Sequence, residues 1–227
     1  MNLHSLYKNR LFSAYLTRCV IKKLSRNNTD KYNLILNAAI KVFAENGFFY
    51  STVSQIAKEA GVADGTIYLY FKNKEDILLQ FFNCRTQEVF DRFRTEVEKK
   101  GSARDKLVNL IRRHLVEFQN DKAMAIVFQS EARVKSRLNG RLDKYVKDLS
   151  KKYMDLVGEI IELGQAEGSI RKDVYISLAK RLVLGSVDEV ISTWVNTGGH
   201  YDMASMAEPL VDLYFKGIGS TRTAAVQ

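Results

Sequence analysis

Proline is nearly missing: Pro209 is the one example in 227 residues, where ordinary usage of roughly 5% would place about ten. Proline interrupts helices, so its scarcity leaves them free to run. Strand-like alternation bounded by turn pairs is missing too, and the two absences together predict an all-α protein. Cysteine is sparse. Cys19 and Cys84 stand far apart with no CxxC or Cys/His spacing, which excludes a disulfide framework and a zinc site and makes the reducing cytoplasm the expected location. No apolar run approaches the roughly 18 to 20 residues of a membrane span. The apolar patch from Leu11 to Ile21 is broken by Arg18, so neither a membrane helix nor a cleaved signal peptide is expected.

Catalytic groupings are missing as well. The three histidines, His4, His114 and His200, lie far apart, and there is no GxSxG, GxGxxG or GxxxxGK[ST]. No metal and no cofactor are expected, and an all-α enzyme is only a remote alternative. His114 falls on the apolar face of a helical pattern, where it reads as a core or pocket residue rather than a metal ligand.

What is present is concentrated between Thr52 and Phe71, TVSQIAKEAGVADGTIYLYF. Val53, Ile56, Ala57 and Ala60 fall at i, i+3, i+4 and i+7, one apolar stripe on a helix with Ser51 or Thr52 as N-cap. Gly61 supplies the left-handed turn, Val62 points back to the core, and Ala63-Asp64 caps a second helix from about Gly65. Ile67 and Phe71 share its buried face and Thr66, Tyr68 and Tyr70 point outward. On spacing alone this is either a DNA-reading helix-turn-helix or an ordinary helical hairpin with half-buried tyrosines.

The residues themselves separate the two. IAxxAGV, then GTxYxYF, then Lys74-Glu75 resembles the signature of the TetR family of bacterial transcriptional repressors, over roughly 31–79. The resemblance implies a nine-helix fold: a three-helix DNA-binding module with the helix-turn-helix, then a helical ligand-binding and dimerisation domain. It also implies a homodimer on a pseudo-palindromic double-stranded operator and release by a small molecule held within helices four to eight. Expected at the DNA are Lys31, Ser51, Thr52, Gly65, Thr66, Tyr68, Tyr70, Lys72 and Lys74. Ser51 or Thr52 and Lys74 would meet phosphates, Thr66 and Tyr68 the base edges, and Tyr70 a phosphate through its hydroxyl, with Gly65 allowing close approach.

The rest of the chain divides to suit. Residues 1–29 hold six Lys/Arg and no acid. They read as a disordered arm, either idle or a start-site artefact, or else a grip on DNA phosphates or the minor groove. Residues 30–76 are the DNA-binding domain, 77–219 the ligand-binding and dimerisation domain, and 220–227 a disordered tail. Helix one carries Leu34, Ile35, Ala38, Ala39, Val42 and Phe43 inward and stops at Gly47. A fourth helix runs from about Lys74 to Gly101. A capping box, Ser102 with Asp105, opens the fifth. The sixth starts near Lys122, the seventh spans about 139–167, and Asp173 caps the eighth. Asp202 starts the ninth, in which Pro209 either kinks the helix or marks its true beginning. Small residues of the last two helices, Ala179, Gly185, Ser186, Ala204 and Ala207, would let a second subunit approach.

The chain's net charge of +9 is unevenly spread. Residues 30–80 have five Lys against six acids, whereas 101–152 have thirteen Lys/Arg against six acids. DNA affinity must then come from locally aimed groups used twice in a dimer, and the central surplus fits an anionic, long-tailed effector. The runs AGVADGTIYLYFKNKEDIL, Ala125-Ile126-Val127 with Arg133, and DEVISTWV from Asp188 also resemble the FadR subgroup, repressors of fatty-acid degradation. That resemblance implies long-chain acyl-CoA as effector; the central surplus would set Arg104, Arg113, Arg133 and Arg137 at the mouth of its pocket. His114, Phe118, Met124, Phe128, Tyr153 and Trp194 would lie within it. Regulation of an efflux or other catabolic operon by a different hydrophobic molecule is the alternative.

Overall fold

A computed structural model describes residues 26–133 and 141–218, which form nine α-helices and one 3-10 turn, with no strand among them. In chain order these are α1 Arg26–Asn46, α2 Val53–Ala60, α3 Asp64–Tyr68, α4 Lys74–Glu98, α5 Ala103–Asn120, α6 Lys122–Arg133, α7 Arg141–Glu167, α8 Ile176–Asn196, the turn Met203–Met206, and α9 Ala207–Ile218. The all-α, nine-helix expectation holds among these residues. Most of the arm expected over 1–29, and the tail over 220–227, lie outside them.

Local signals explain most helix ends. Thr52 caps α2 in a reciprocal box with Gln55, its hydroxyl accepting from the Gln55 N–H. Gly61, at φ 65°, ends α2 in the left-handed conformation that a side chain disfavours. Ser102 and Asp105 form the expected box at α5, and Asn73 caps α4 through the Asp76 N–H. Two boundaries differ from expectation, and the choice left open at Pro209 is decided. With neither proline nor glycine to stop it, α1 extends back to Arg26, across the boundary expected between arm and DNA-binding domain at residue 30. The cap of α8 is Tyr175, because Asp173 is drawn into an ion pair with Arg171. The segment around Pro209 resolves into a 3-10 turn followed by a new helix, which places the proline in the first turn of α9, where no N–H donor is required.

α5 is the central post, touching α4, α6, α7, α8 and α9, and Leu107, Leu110, Ile111 and Leu115 are buried along it. α1 packs on α2, α4 and α6. Its Ile35, Ala39 and Phe43 enter the core, while Leu34, expected inward, is exposed. α8 and α9 leave an apolar face uncovered: Leu182 is 55% and Leu213 69% exposed, and Leu178 joins them. There is open space over Gly185 and Gly217 on this face. Of the small residues expected to admit a second subunit, Ala179 and Ala207 are instead buried in their own core.

Gly164 is a packing constraint in α7. A Cβ there would lie 2.6 Å from Ile170 Cδ1, 2.7 Å from Ile170 Cγ1 and 3.1 Å from Ala103 Cβ. Ile170 and Ala103 are themselves buried. Gly164→Ala is therefore expected to cost about 1–3 kcal/mol. Thermal unfolding checks this, with Tm falling by roughly 2–4 °C per kcal/mol for a chain of this size.

Candidate functional site

The helix-turn-helix is held by α1 and by the first turn of α4. Ile56, Ala57, Ile67 and Phe71 are buried, and the Phe71 ring stacks on Tyr32 of α1 at 4.8 Å. Asp64, which was expected to share the cap of α3, instead accepts a hydrogen bond from the Ser54 hydroxyl, tying α3 to α2. With Ile67 turned inward, the opposite face of α3 presents Tyr68, 59% exposed, beside a half-buried Thr66. No atom crowds Gly65. Tyr70 is half-buried and packs partly on the core. Lys31 and Lys72 are exposed.

Two of the residues expected at the DNA are engaged within the protein, Ser51 buried and Lys74 hydrogen-bonded. Ser51 is 2% exposed, and its hydroxyl donates to the carbonyls of Val42 and Gly47, closing the corner after α1. The Lys74 ammonium donates to the carbonyls of Phe48, Phe49 and Ser51 at 2.9, 3.0 and 3.1 Å and lies 4.7 Å from the centre of the Phe48 ring. All three of its protons are engaged, so it fastens the α1–α2 loop to α4 rather than waiting for a phosphate. Two exposed apolar side chains in and next to the helix-turn-helix were not singled out from the sequence, Tyr50 at 86% and Leu69 at 81%. Their only signal was apolar surface outside the helical stripe.

The second site is a cavity of about 630 Å³ walled by α4, α5, α6, α7 and α8. Its aromatic part is a file of rings in contact. Tyr153, His114 and Phe93 meet at one end, His114 leads to Phe118 at 5.2 Å and Phe118 to Phe128 at 5.4 Å, and behind the lining Phe128 packs on the fully buried Phe82 at 4.8 Å. Met124 and Val89 complete the apolar wall. Polar groups gather elsewhere on the lining: Arg85, Gln129, Lys147, Ser150 and Asp188. A neighbouring hollow of about 390 Å³ shares Thr86, Phe90 and Leu149 with the cavity and adds Lys151 and Lys152. Burial lowers the pKa of His114 to about 3 and raises that of the Tyr153 phenol, so both are neutral near pH 7.

The structure brings His114, Phe118, Met124, Phe128 and Tyr153 together in this cavity. Two of the four expected arginines, Arg104 and Arg113, are paired with acids elsewhere. Arg104 pairs with Asp212 at 2.5 Å, Arg112 with Glu208 at 3.1 Å, and Arg113 with Glu96 at 3.0 Å. The basic surplus of α5 is thus partly answered by acids of α4 and α9. Trp194 is buried outside the cavity, its indole N–H donating to the Tyr201 carbonyl at 2.9 Å. Arg133 is the last residue of α6, nothing being described of its side chain, and Arg137 lies outside the described residues. The cations that do line the two hollows, Arg85, Lys147, Lys151 and Lys152, went unnoticed. The last three fall at i, i+4 and i+5 of α7, a spacing that places them on one side of a helix.

Comparison with known proteins agrees with both halves. Residues 35–81 match the model of bacterial regulatory proteins of the tetR family, and residues 82–217 that of the YsiA-like protein C-terminal region. The chain is 38% identical over 193 residues to the fatty acid metabolism regulator protein of Bacillus subtilis, across 85% of its own length and 98% of that protein's. It belongs to the TetR family. Among solved structures, this TetR-family chain is similar to the transcriptional regulator FadR of Bacillus subtilis in complex with stearoyl-CoA. Identity is 37% and the TM-score 0.73, over 82% of this chain and 99% of that one. It also resembles the fatty acid degradation regulator FadR of Bacillus halodurans, at 34% identity and a TM-score of 0.76, over 86% and 98% of the two chains. No helix among the described residues is long and apolar enough to cross a membrane, and no group of His, Cys, Asp and Glu there would hold a metal.

The two lysines flanking the head separate by role. Lys72→Ala is expected to lower the salt dependence of DNA binding by about 0.9 in slope per contact removed, doubled in a dimer. Lys74→Ala is expected to leave the slope unchanged and to lower Tm, because it frees three loop carbonyls. Gel shifts across a salt series and a melting curve check both.

Proposed function

We propose that this chain is a homodimeric repressor that reads a pseudo-palindromic operator through α3 and is released by a long-chain acyl-CoA, so regulating fatty-acid metabolism in the cytoplasm. The observation that carries the effector is the cavity. A file of aromatic rings suits an acyl chain, and the lysines of α7 beside it suit the phosphates of CoA. The Bacillus subtilis relative bound to stearoyl-CoA supports the same ligand class.

The proposed operator contacts are Thr66 and Tyr68 at base edges, Thr52, Lys31 and Lys72 at phosphates, and Tyr70 through its hydroxyl. Gly65 keeps the backbone close. The second subunit covers the apolar face of α8 and α9, where Leu178, Leu182 and Leu213 otherwise meet water. Two copies of a head with little net charge then supply an affinity that neither would have alone.

A gel-shift titration tests the reading, with an operator duplex selected from random DNA and acyl-CoAs of increasing chain length. Release by long-chain acyl-CoA at micromolar concentration is expected, with free CoA inactive. No release, or release by free CoA alone, contradicts it.

A further inference from the structure

The centre of the reading face is a leucine. α3 keeps helical geometry through Leu69, at φ −72° and ψ −22°, and the Phe71 N–H still donates to the Ile67 carbonyl at 3.0 Å. The fully buried Ile67 fixes the inward direction. At about 100° per residue, the positions most nearly opposite it are Gly65 and Leu69, one turn apart, with Thr66 and Tyr68 to either side. Leu69 is accordingly more exposed than Tyr68.

Gly65 has no side chain, so Leu69 supplies the one at the middle of this face. Nothing in the fold asks for glycine at 65, where the backbone is helical and a Cβ would meet no described atom within 4 Å. Nor does the fold gain from a leucine at 69 that leaves most of its surface in water. An isolated surface leucine needs no explanation. This one is continuous with the two side chains proposed to read bases. It has neither donor nor acceptor, so it gains nothing from a phosphate or from the polar groups of a base edge. The apolar group that the major groove presents is the C5-methyl of thymine. With five Lys against six acids over residues 30–80, the head also has little bulk attraction to phosphates, which leaves more of its binding to such contacts.

We infer that Leu69 packs on a thymine methyl at one position of each operator half-site and makes thymine preferred there. This rests on the proposed placement of α3 in the operator and adds a specificity determinant to it. The contact is made twice, once by each subunit.

The test exchanges thymine for deoxyuridine, which removes the methyl and leaves every hydrogen-bonding group of the base pair in place. In an operator duplex selected from random DNA with the full chain, thymines are exchanged one position at a time, symmetrically in both half-sites, and affinities are read by gel shift. At one position the unaltered dimer is expected to lose about tenfold, as roughly one buried methyl per subunit would give. Leu69→Ala is expected to bind the thymine duplex less well by a similar factor and to reduce the effect of uridine at that position to about twofold or less. Its salt slope is expected to be unchanged, because no phosphate contact is lost, and its Tm as well, because Leu69 packs on little of its own chain. Uridine losses that are equal in the two proteins at every position overturn the inference, as does an operator in which no thymine methyl contributes. Thr66→Ala and Tyr68→Ala in the same assay separate this from the underlying placement. If they alter base preference while Leu69→Ala leaves the uridine effect intact, the inference alone falls. If none of the three changes operator affinity or base preference, α3 is not the reader and the proposed operator contacts fall with it.

Discussion

Everything in this molecule depends on α4 being one uninterrupted helix. It runs 25 residues from Lys74 to Glu98, roughly 37 Å at 1.5 Å per residue. Its two ends serve different purposes. At the first turn Lys74 grips three carbonyls of the α1–α2 loop, and farther along Arg85, Val89, Phe90 and Phe93 wall the cavity. A helix of this length holds its shape, so a displacement at the cavity wall appears at the reading head as a change of position rather than a local distortion. α1 supplies a second route, since it packs on α6, whose Met124 and Phe128 face the same cavity. The supports of the DNA reader and the walls of the effector site are therefore the same two elements, and dense packing lets them move only between discrete arrangements.

The charge distribution follows from that division of labour. The head carries almost no net charge, so its grip on DNA is a matter of few contacts placed by buried residues such as Ile67 and Phe71 and doubled by the dimer. Three of the thirteen central cations are paired with acids of other helices. Arg104 and Arg112 hold α9 against α5, and Arg113 holds α4. Among the described cations, Lys147, Lys151 and Lys152 of α7 line the two hollows, and Arg85 lines the cavity while paired with Asp121 and Glu88.

The readable parts of the sequence were those in which local chemistry decides the outcome. Thr52, Gly61 and the Ser102/Asp105 box each act within a few residues, so helix ends were legible there, and the apolar faces of α4 and α5 followed from periodicity. The partners of Lys74 and Ser51 were not legible, because they are carbonyls of a loop whose path is set by tertiary packing. Of the ten residues expected at the effector, the aromatic and apolar ones converged, apart from Trp194. Arg104 and Arg113 pair instead with acids on α9 and α4, helices distant in sequence from α5 or packed against it, which periodicity does not reveal. Recognition of the family came from a short motif, and it carried the fold farther than composition could.

The central claim is that cavity and reading head are two ends of one coupled element, and coupling is reciprocal. The most direct measurement is the affinity of the dimer for stearoyl-CoA with and without saturating operator DNA. Operator is expected to weaken acyl-CoA binding by the same factor by which acyl-CoA weakens operator binding. An affinity for stearoyl-CoA unchanged by operator would contradict the account, because the two sites would then be independent.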